Sequence, residues 1–149
     1  MTTVAYDGSC MAADTLATDT WGAKEFVKDK IWIGDKVLLG CAGSSGEITK
    51  WLRQLPRDVP MEYLLNHGYA PFIKDANDPA MLVVDRVRGH LYRHVSGAFL
   101  RTSHKQWAVG SGRDYALAAM YLGKTAKQAV AIAMHFDNNT GGRIVEVRR

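Results

Sequence analysis

TTVAYDGSCMAAD, residues 2–14, decides how the rest of the chain is read. Thr2 to Tyr6 and Ser9 to Asp14 are rich in β-formers, and Asp7-Gly8 between them is a hairpin signal. The chain thus opens with a strand from its second residue and a tight return. Outward from that hairpin, Val27 to Ile33 alternates apolar with charged residues and stops at Gly34-Asp35. Lys36 to Ala42, KVLLGCA, is a mostly apolar strand. Gly43-Ser44-Ser45-Gly46 then opens a helix, with Ile48, Trp51, Leu52 and Leu55 at i, i+3, i+4, i+7 spacing. Pro56 and Pro60 bracket its end, and Met61 to Asn66 reads as a second, short helix.

Strands are expected at AMLVVDRV after Pro79 and at HLYRHV after Gly89, with Arg88-Gly89 turning between them. Trp107 to Gly110 reads as extended. Asp114 to Leu122 is an Ala-rich helix ended by Gly123, and Thr125 to Phe136 is another, N-capped by Thr125. Arg143 to Arg149 alternates again as a final strand. Strands, two helices, strands, two helices and a strand point to an α+β fold. Two antiparallel sheets flanked by helices, a four-layer αββα sandwich, would bury all of the apolar faces.

The 149 residues fit one domain, residues 1–149. Apolar residues at 47% and charged residues at 23% exclude a disordered chain. A net charge of +4 raises nucleic acid as a partner, but the basic residues are scattered apart from short groups such as Arg148-Arg149. No basic stripe is interleaved with aromatics, so the expectation is a basic surface and no nucleic acid. The opening MTTVAYDG lacks the marks of a signal peptide, and no apolar run reaches membrane-spanning length. A cytoplasmic protein without membrane contact is expected. Cys10 and Cys41 read as two buried free thiols. His90 and His94 sit in an extended stretch and read as polar strand residues, so no metal is expected.

Chemistry enters at Thr2. Its small side chain permits removal of Met1, which would leave a free α-amine beside a hydroxyl. A hydroxyl at its own pKa is a weak nucleophile, and the amine of the same residue can act as its base. That amine has an unperturbed pKa near 8, and a neighbouring lysine would lower it.

At this point the residues resemble proteasome β-subunits, and more closely the bacterial HslV peptidase and its short homologues. TTVAYDG and MAADTLAT are similar to the family's N-terminal threonine strand and the strand after it. The resemblance makes Thr2 nucleophile and base, Asp14 the carboxylate paired with the active-site lysine, and Thr18 a substrate-holding residue. VKDKIWIGDKVLLGCAGSSGE resembles the next block, with Lys30 in the place of the catalytic lysine. Lys28 lies two residues earlier on the same face, but the distance from Lys30 to KVLLGCAG suits the family hairpin better. Gly43 matches the glycine whose N–H binds the oxyanion, where a backbone without Cβ must approach the substrate. Cys41 takes the place of a substrate-pocket residue.

WAVGSGRDYALAAMYLG resembles the family's Gly-Ser-Gly turn, which makes Ser111 the serine near the threonine amine. DNNTGGRIVEV places Asp137 and Thr140 on the supporting aspartate and hydroxyl residue; Thr140 stands where serine is commoner. The resemblance covers the whole chain, although the first hairpin and the middle region are shorter than in most relatives. It implies an N-terminal nucleophile hydrolase fold and a threonine peptidase without cofactor, acting on polypeptides within a homo-oligomeric ring. An AAA+ unfoldase is the partner such rings take. The competing readings are a Met1-retaining, inactive ring subunit and an N-terminal nucleophile amidase of small substrates.

Overall fold

The computed structural model describes residues 2–18, 21–26, 30–43, 45–69 and 79–149. Its strands are β1 (Thr3–Tyr6), β2 (Cys10–Asp14), β3 (Leu16–Thr18), β4 (Lys24–Phe26), β5 (Ile31–Ile33) and β6 (Val37–Ala42), then β7 (Ala80–Asp85), β8 (Leu91–Val95), β9 (Ala98–Arg101), β10 (Trp107–Gly110) and β11 (Ile144–Arg148). The helices are α1 (Ser45–Gln54), α2 (Met61–His67), α3 (Arg113–Tyr121) and α4 (Ala126–Phe136). One sheet has the order β10-β1-β2-β11, the other is the meander β5-β6-β7-β8-β9, and β3-β4 form a separate ribbon. Both large sheets are antiparallel throughout.

The side chains divide by strand period into three apolar layers. Val4, Tyr6, Met11, Ala13 and Val109 of the first sheet face Leu38, Leu82, Val84 and Leu91 of the second, forming the central layer. The opposite face of the first sheet carries Ala5, Ala12 and Ala108, packed on Ala116, Ala119, Ala126, Ala129 and Val130 of α3 and α4. The opposite face of the second carries Val37, Leu39, Met81, Val83, Tyr92 and Phe99, under Ile48, Trp51 and Leu52 of α1 and Met61 and Leu64 of α2. The molecule is thus the four-layer αββα sandwich expected from the sequence. Its outer layers differ in kind. Alanine on alanine lets α4 approach β1 and β2 closely, whereas the α1 side is filled by rings, with Trp51 edge-on to Tyr69 at 5.3 Å.

Several boundaries depart from the sequence reading. Residues 27–29 lie outside the described residues, so the strand expected from Val27 is seen only as Ile31–Ile33. The ribbon β3-β4 was not anticipated, nor was β9. The latter pairs with β8 through a two-residue loop, Ser96-Gly97, with φ of 48° and 85°. Positive φ at both positions is the signature of a type I′ hairpin turn, and Ser-Gly was its only sequence mark. The first hairpin needs three loop residues, because Asp7 Oδ1 accepts the amides of Ser9 and Cys10 at 2.8 Å each. Thr125 does cap α4, in a reciprocal capping box with Gln128. Both cysteines are free; Cys41 is buried and Cys10 partly so.

Gly40 marks the closest approach between the sheets. A Cβ there would lie 2.5 Å from Val4 Cγ1 and 2.8 Å from Met11 Sδ. Gly40→Ala is expected to cost about 1–3 kcal/mol by overpacking. Adding Val4→Ala opens the needed space, so the double variant should lose less than the sum of the two single losses in urea unfolding.

Candidate active site

The registers bring particular strand ends to one edge of the sandwich. Thr3 pairs with Gly110, Val4 with Ala13, and Asp14 with Ile144. On the second sheet Ile31 pairs with Gly40, and Ala42 with Ala80. Thr2, Asp14, Lys30, Gly43, Ser111 and the 137–143 connection therefore all fall at strand ends on this edge. They come from six separate segments of sequence.

Lys30 and Asp14 join the two sheets there. Lys30 Nζ lies 2.9 Å from Asp14 Oδ1, with both side chains removed from water. The ammonium also donates to Thr2 Oγ1 and to the Leu16 carbonyl, so its three protons have three acceptors. Asp14 Oδ1 accepts from the Thr2 hydroxyl and, at 3.0 Å, from Thr3 N–H, while Oδ2 accepts Gly141 N–H at 2.9 Å. Burial pushes the Lys30 ammonium below its ordinary pKa, with Asp14 opposing that shift. Lys28, the alternative lysine, and Met1 lie outside the described residues.

A second cluster sits alongside. Ser111 and Thr140 each donate a hydroxyl to Asp137 Oδ2 at 2.5 Å, and Asn139 N–H donates to Oδ1 at 3.1 Å. Burial raises the Asp137 carboxyl, but these donors outweigh it and hold the group below its ordinary value. Ser111 N–H donates to the Thr2 carbonyl at 2.8 Å. That contact requires Gly110 (φ 100°), because a Cβ there would lie 1.7 Å from the same Thr2 oxygen. The connection after α4 is clamped as well: the amides of Thr15 and Leu16 share the Gly141 carbonyl, and Arg143 N–H donates to Thr15 Oγ1 at 2.9 Å.

Of the residues selected from sequence, Thr2, Asp14 and Lys30 form one hydrogen-bonded group, and Ser111, Asp137 and Thr140 another. Gly43 stands just beyond β6 with φ of 132°. Thr18 lies in β3, half-buried. Cys41 joins neither group: it packs in the α1-side core with Trp51 and Met81, and burial pushes its thiol up to about 12. The cleft on that side of the molecule is lined by Ile31, Trp32, Ile33, Thr49, Leu52 and Arg53. Sequence reading missed Thr3, Leu16 and Gly141, whose contacts at the site are largely backbone. His94 is a structural residue. Gly97 N–H donates to its Nε2 at 3.1 Å, so its Nδ1–H donates to the Pro79 carbonyl at 2.9 Å. Among the described residues no group of three His, Cys, Asp or Glu side chains could hold a metal ion.

Comparison with known proteins places the fold. No family model matches the chain, and no curated protein matches its sequence. Solved structures do match, and what they share with this chain is the fold, the four-layer αββα sandwich that it has in common with an HslV. BPH of Thiobacillus denitrificans superposes with a TM-score of 0.70 at 21% identity, covering 99% of this chain and 97% of that one. The same protein in complex with epoxomicin gives 0.72 at 21%, covering 100% and 98%. Eukaryotic HslV from Trypanosoma brucei gives 0.72 at 17%, covering 98% of each chain. At these identities the likeness is one of fold, from end to end of both chains.

Two stability measurements test the electrostatics. Lys30→Met leaves Asp14 buried without its counter-charge and should cost about 3 kcal/mol, part of which Asp14→Asn in the same chain restores. For Asp137 the lowered folded value means a stabilising contribution present above the ordinary carboxyl value. That contribution is lost as pH falls through the lowered value. The urea midpoint of the wild type should therefore drop toward that of Asp137→Asn as pH falls below about 4.

Proposed function

We propose that the chain is a threonine-type endopeptidase subunit, with Thr2 as nucleophile once Met1 is removed. The observation that carries this reading is the contact of Thr2 Oγ1 with a buried Lys30–Asp14 pair at one edge of an N-terminal nucleophile hydrolase fold. A lysine and a carboxylate taken from water and aimed at one hydroxyl are a candidate catalytic group rather than a surface ion pair.

In the proposed reaction Thr2 Oγ bonds to the scissile carbonyl carbon, and its proton passes to the Thr2 α-amine. The hydroxyl, which in the described chain donates to Asp14, turns to that amine when processing frees it. Gly43 N–H stabilises the oxyanion, a donor typically worth about 3–4 kcal/mol. Collapse breaks the carbon–nitrogen bond, and the ammonium returns its proton to the departing amine. Water, deprotonated by the same amine, then attacks the ester and releases the acid. Lys30, held by Asp14, favours the neutral amine and the ionising hydroxyl. Ser111, Asp137 and Thr140 orient the amine. Thr18 is assigned to substrate binding through its backbone, whereas Cys41, expected from the resemblance to line the substrate pocket, is packed against Trp51 and Met81 and is left to the core. The reaction takes no cofactor. Thr2 is buried in the chain as described, so substrate access requires a more open Thr2 in the processed protein.

Such a site would cleave any unfolded polypeptide it met, and we place it inside a homo-oligomeric ring in the cytoplasm, served by an AAA+ unfoldase. Exposed Trp21, Phe26, Tyr121 and Leu122 support self-association, since large apolar groups left in water mark contact surfaces. No described helix is long and apolar enough to cross a membrane. Epoxomicin is bound by the Thiobacillus denitrificans protein, which recommends it as a probe here.

Intact mass of untagged protein should show loss of Met1, and incubation with epoxomicin should add one inhibitor mass on Thr2. Thr2→Ala should abolish both the adduct and peptide hydrolysis while the chain still folds. Retained Met1 without adduct would instead mark an inactive ring subunit. Hydrolysis of small amides but not peptides would mark an amidase.

A further inference from the structure

Thr3 belongs to neither of the clusters picked out from the sequence, yet it touches both. It is fully buried. Its N–H donates to Asp14 Oδ1 at 3.0 Å, the oxygen that also holds Lys30 and Thr2. Its hydroxyl meets Thr140 Oγ1 at 2.6 Å. The direction of that second bond follows from proton counting. A threonine hydroxyl has one proton. Thr140 spends its own on Asp137 Oδ2 at 2.5 Å, and an ionised carboxylate cannot return it. Thr3 must therefore be the donor. The result is a directed chain, Thr3 Oγ–H to Thr140 Oγ, then Thr140 Oγ–H to Asp137 Oδ2, with Ser111 Oγ–H arriving at the same oxygen.

The space around this chain is closed. A Cβ on Gly112 would lie 2.2 Å from Thr3 Oγ1 and 3.0 Å from both Thr140 Oγ1 and Ala133 Cβ. Gly112 thus leaves room for the two hydroxyls to meet and for α4 to sit against them.

We infer that Thr3 is a positioning residue for the proposed reaction. Its side-chain proton fixes Thr140, and through it Asp137 and Ser111, in register with the Lys30–Asp14 pair that its backbone holds. Hydrogen bonds in series polarise one another, so the first donor strengthens the bonds after it. This inference rests on the peptidase reading, and its test is arranged so that the two can fail separately.

The test uses processed wild-type protein, for which turnover of a fluorogenic peptide and an epoxomicin adduct on Thr2 first establish the reaction. Absence of both in the wild type overturns the peptidase reading and removes the basis for the role of Thr3. With activity in hand, Thr3→Val keeps the β-branched shape and the backbone donor but removes the hydroxyl proton. It should lower kcat about tenfold with KM unchanged, while Thr3→Ser restores wild-type kcat. If Thr3 acts through Thr140, Thr3→Val should cause no further loss in a Thr140→Val background. Should Thr3→Val fail to fold, Thr3→Cys carries the same comparison, since a thiol is a weak donor. Wild-type kcat in the folded Val or Cys variant, or losses that simply multiply in the double variant, would overturn the inference.

Discussion

One ion pair removed from water, Lys30 with Asp14, is the constraint around which this edge of the molecule is built. Taking two charges out of water costs several kcal/mol each, and attraction between them repays that only when every remaining donor and acceptor is met. Here the condition is satisfied in full. The lysine has three acceptors, and the aspartate receives the lysine, a hydroxyl and two backbone amides. These partners come from both sheets and from the segment after α4, so satisfying one pair fixes how several elements meet. A buried pair adds little net stability over apolar residues of similar size. Its presence at a strand edge, in contact with a hydroxyl, is better understood through what it does to that hydroxyl.

The unequal outer layers serve the same end. Rings and branched side chains fill the space beneath α1 and α2, whereas α3 and α4 rest on alanines. An alanine face keeps helix and sheet backbones close, and α4 packs directly against β1 and β2. The residues following α4 then reach the end of β2 without a long connection. Asp137 caps the helix end, and Gly141 already bonds Asp14 and accepts from Thr15 and Leu16. Larger side chains at Ala5, Ala12 or Ala108 would lift α4 and carry Asp137 and Thr140 away from Thr3.

Much of this was legible in the residues. The β-rich run from Ser9 to Asp14, the apolar run KVLLGCA, the alternation in Arg143 to Arg149, the i, i+3, i+4 spacing from Ile48 and the Thr125 cap gave the layers and most helix limits. Thr2, Asp14 and Lys30 were selected by resemblance, because no spacing rule brings residues 12 and 28 positions apart to one point. Thr3, Leu16 and Gly141 were missed for a physical reason. Leu16 and Gly141 act through backbone groups, which every residue carries, and the Thr3 hydroxyl gains its meaning only from Thr140, 137 positions away. The ribbon β3-β4 and strand β9 were missed because three- and four-residue strands show too little alternation to register. Cys41 shows the converse limit. Its position along a strand could be read, but not which of the two faces would cover it.

The chemistry proposed for Thr2 asks for an N-terminal residue held as firmly as one in a core, although chain ends ordinarily fray. The sheet order answers this. β1 is not an edge strand: it lies between β10 and β2, paired on both sides. From Val4 onward it is fixed by both neighbours, and Thr3 is paired with Gly110 of β10. Ser111 N–H then anchors the Thr2 carbonyl, and Lys30 and Asp14 anchor its hydroxyl. An edge strand could not supply that order, since one of its sides would answer only to water. Precision at the chain start is thus a consequence of topology, and the side chains around Thr2 refine a position that the sheet has already set.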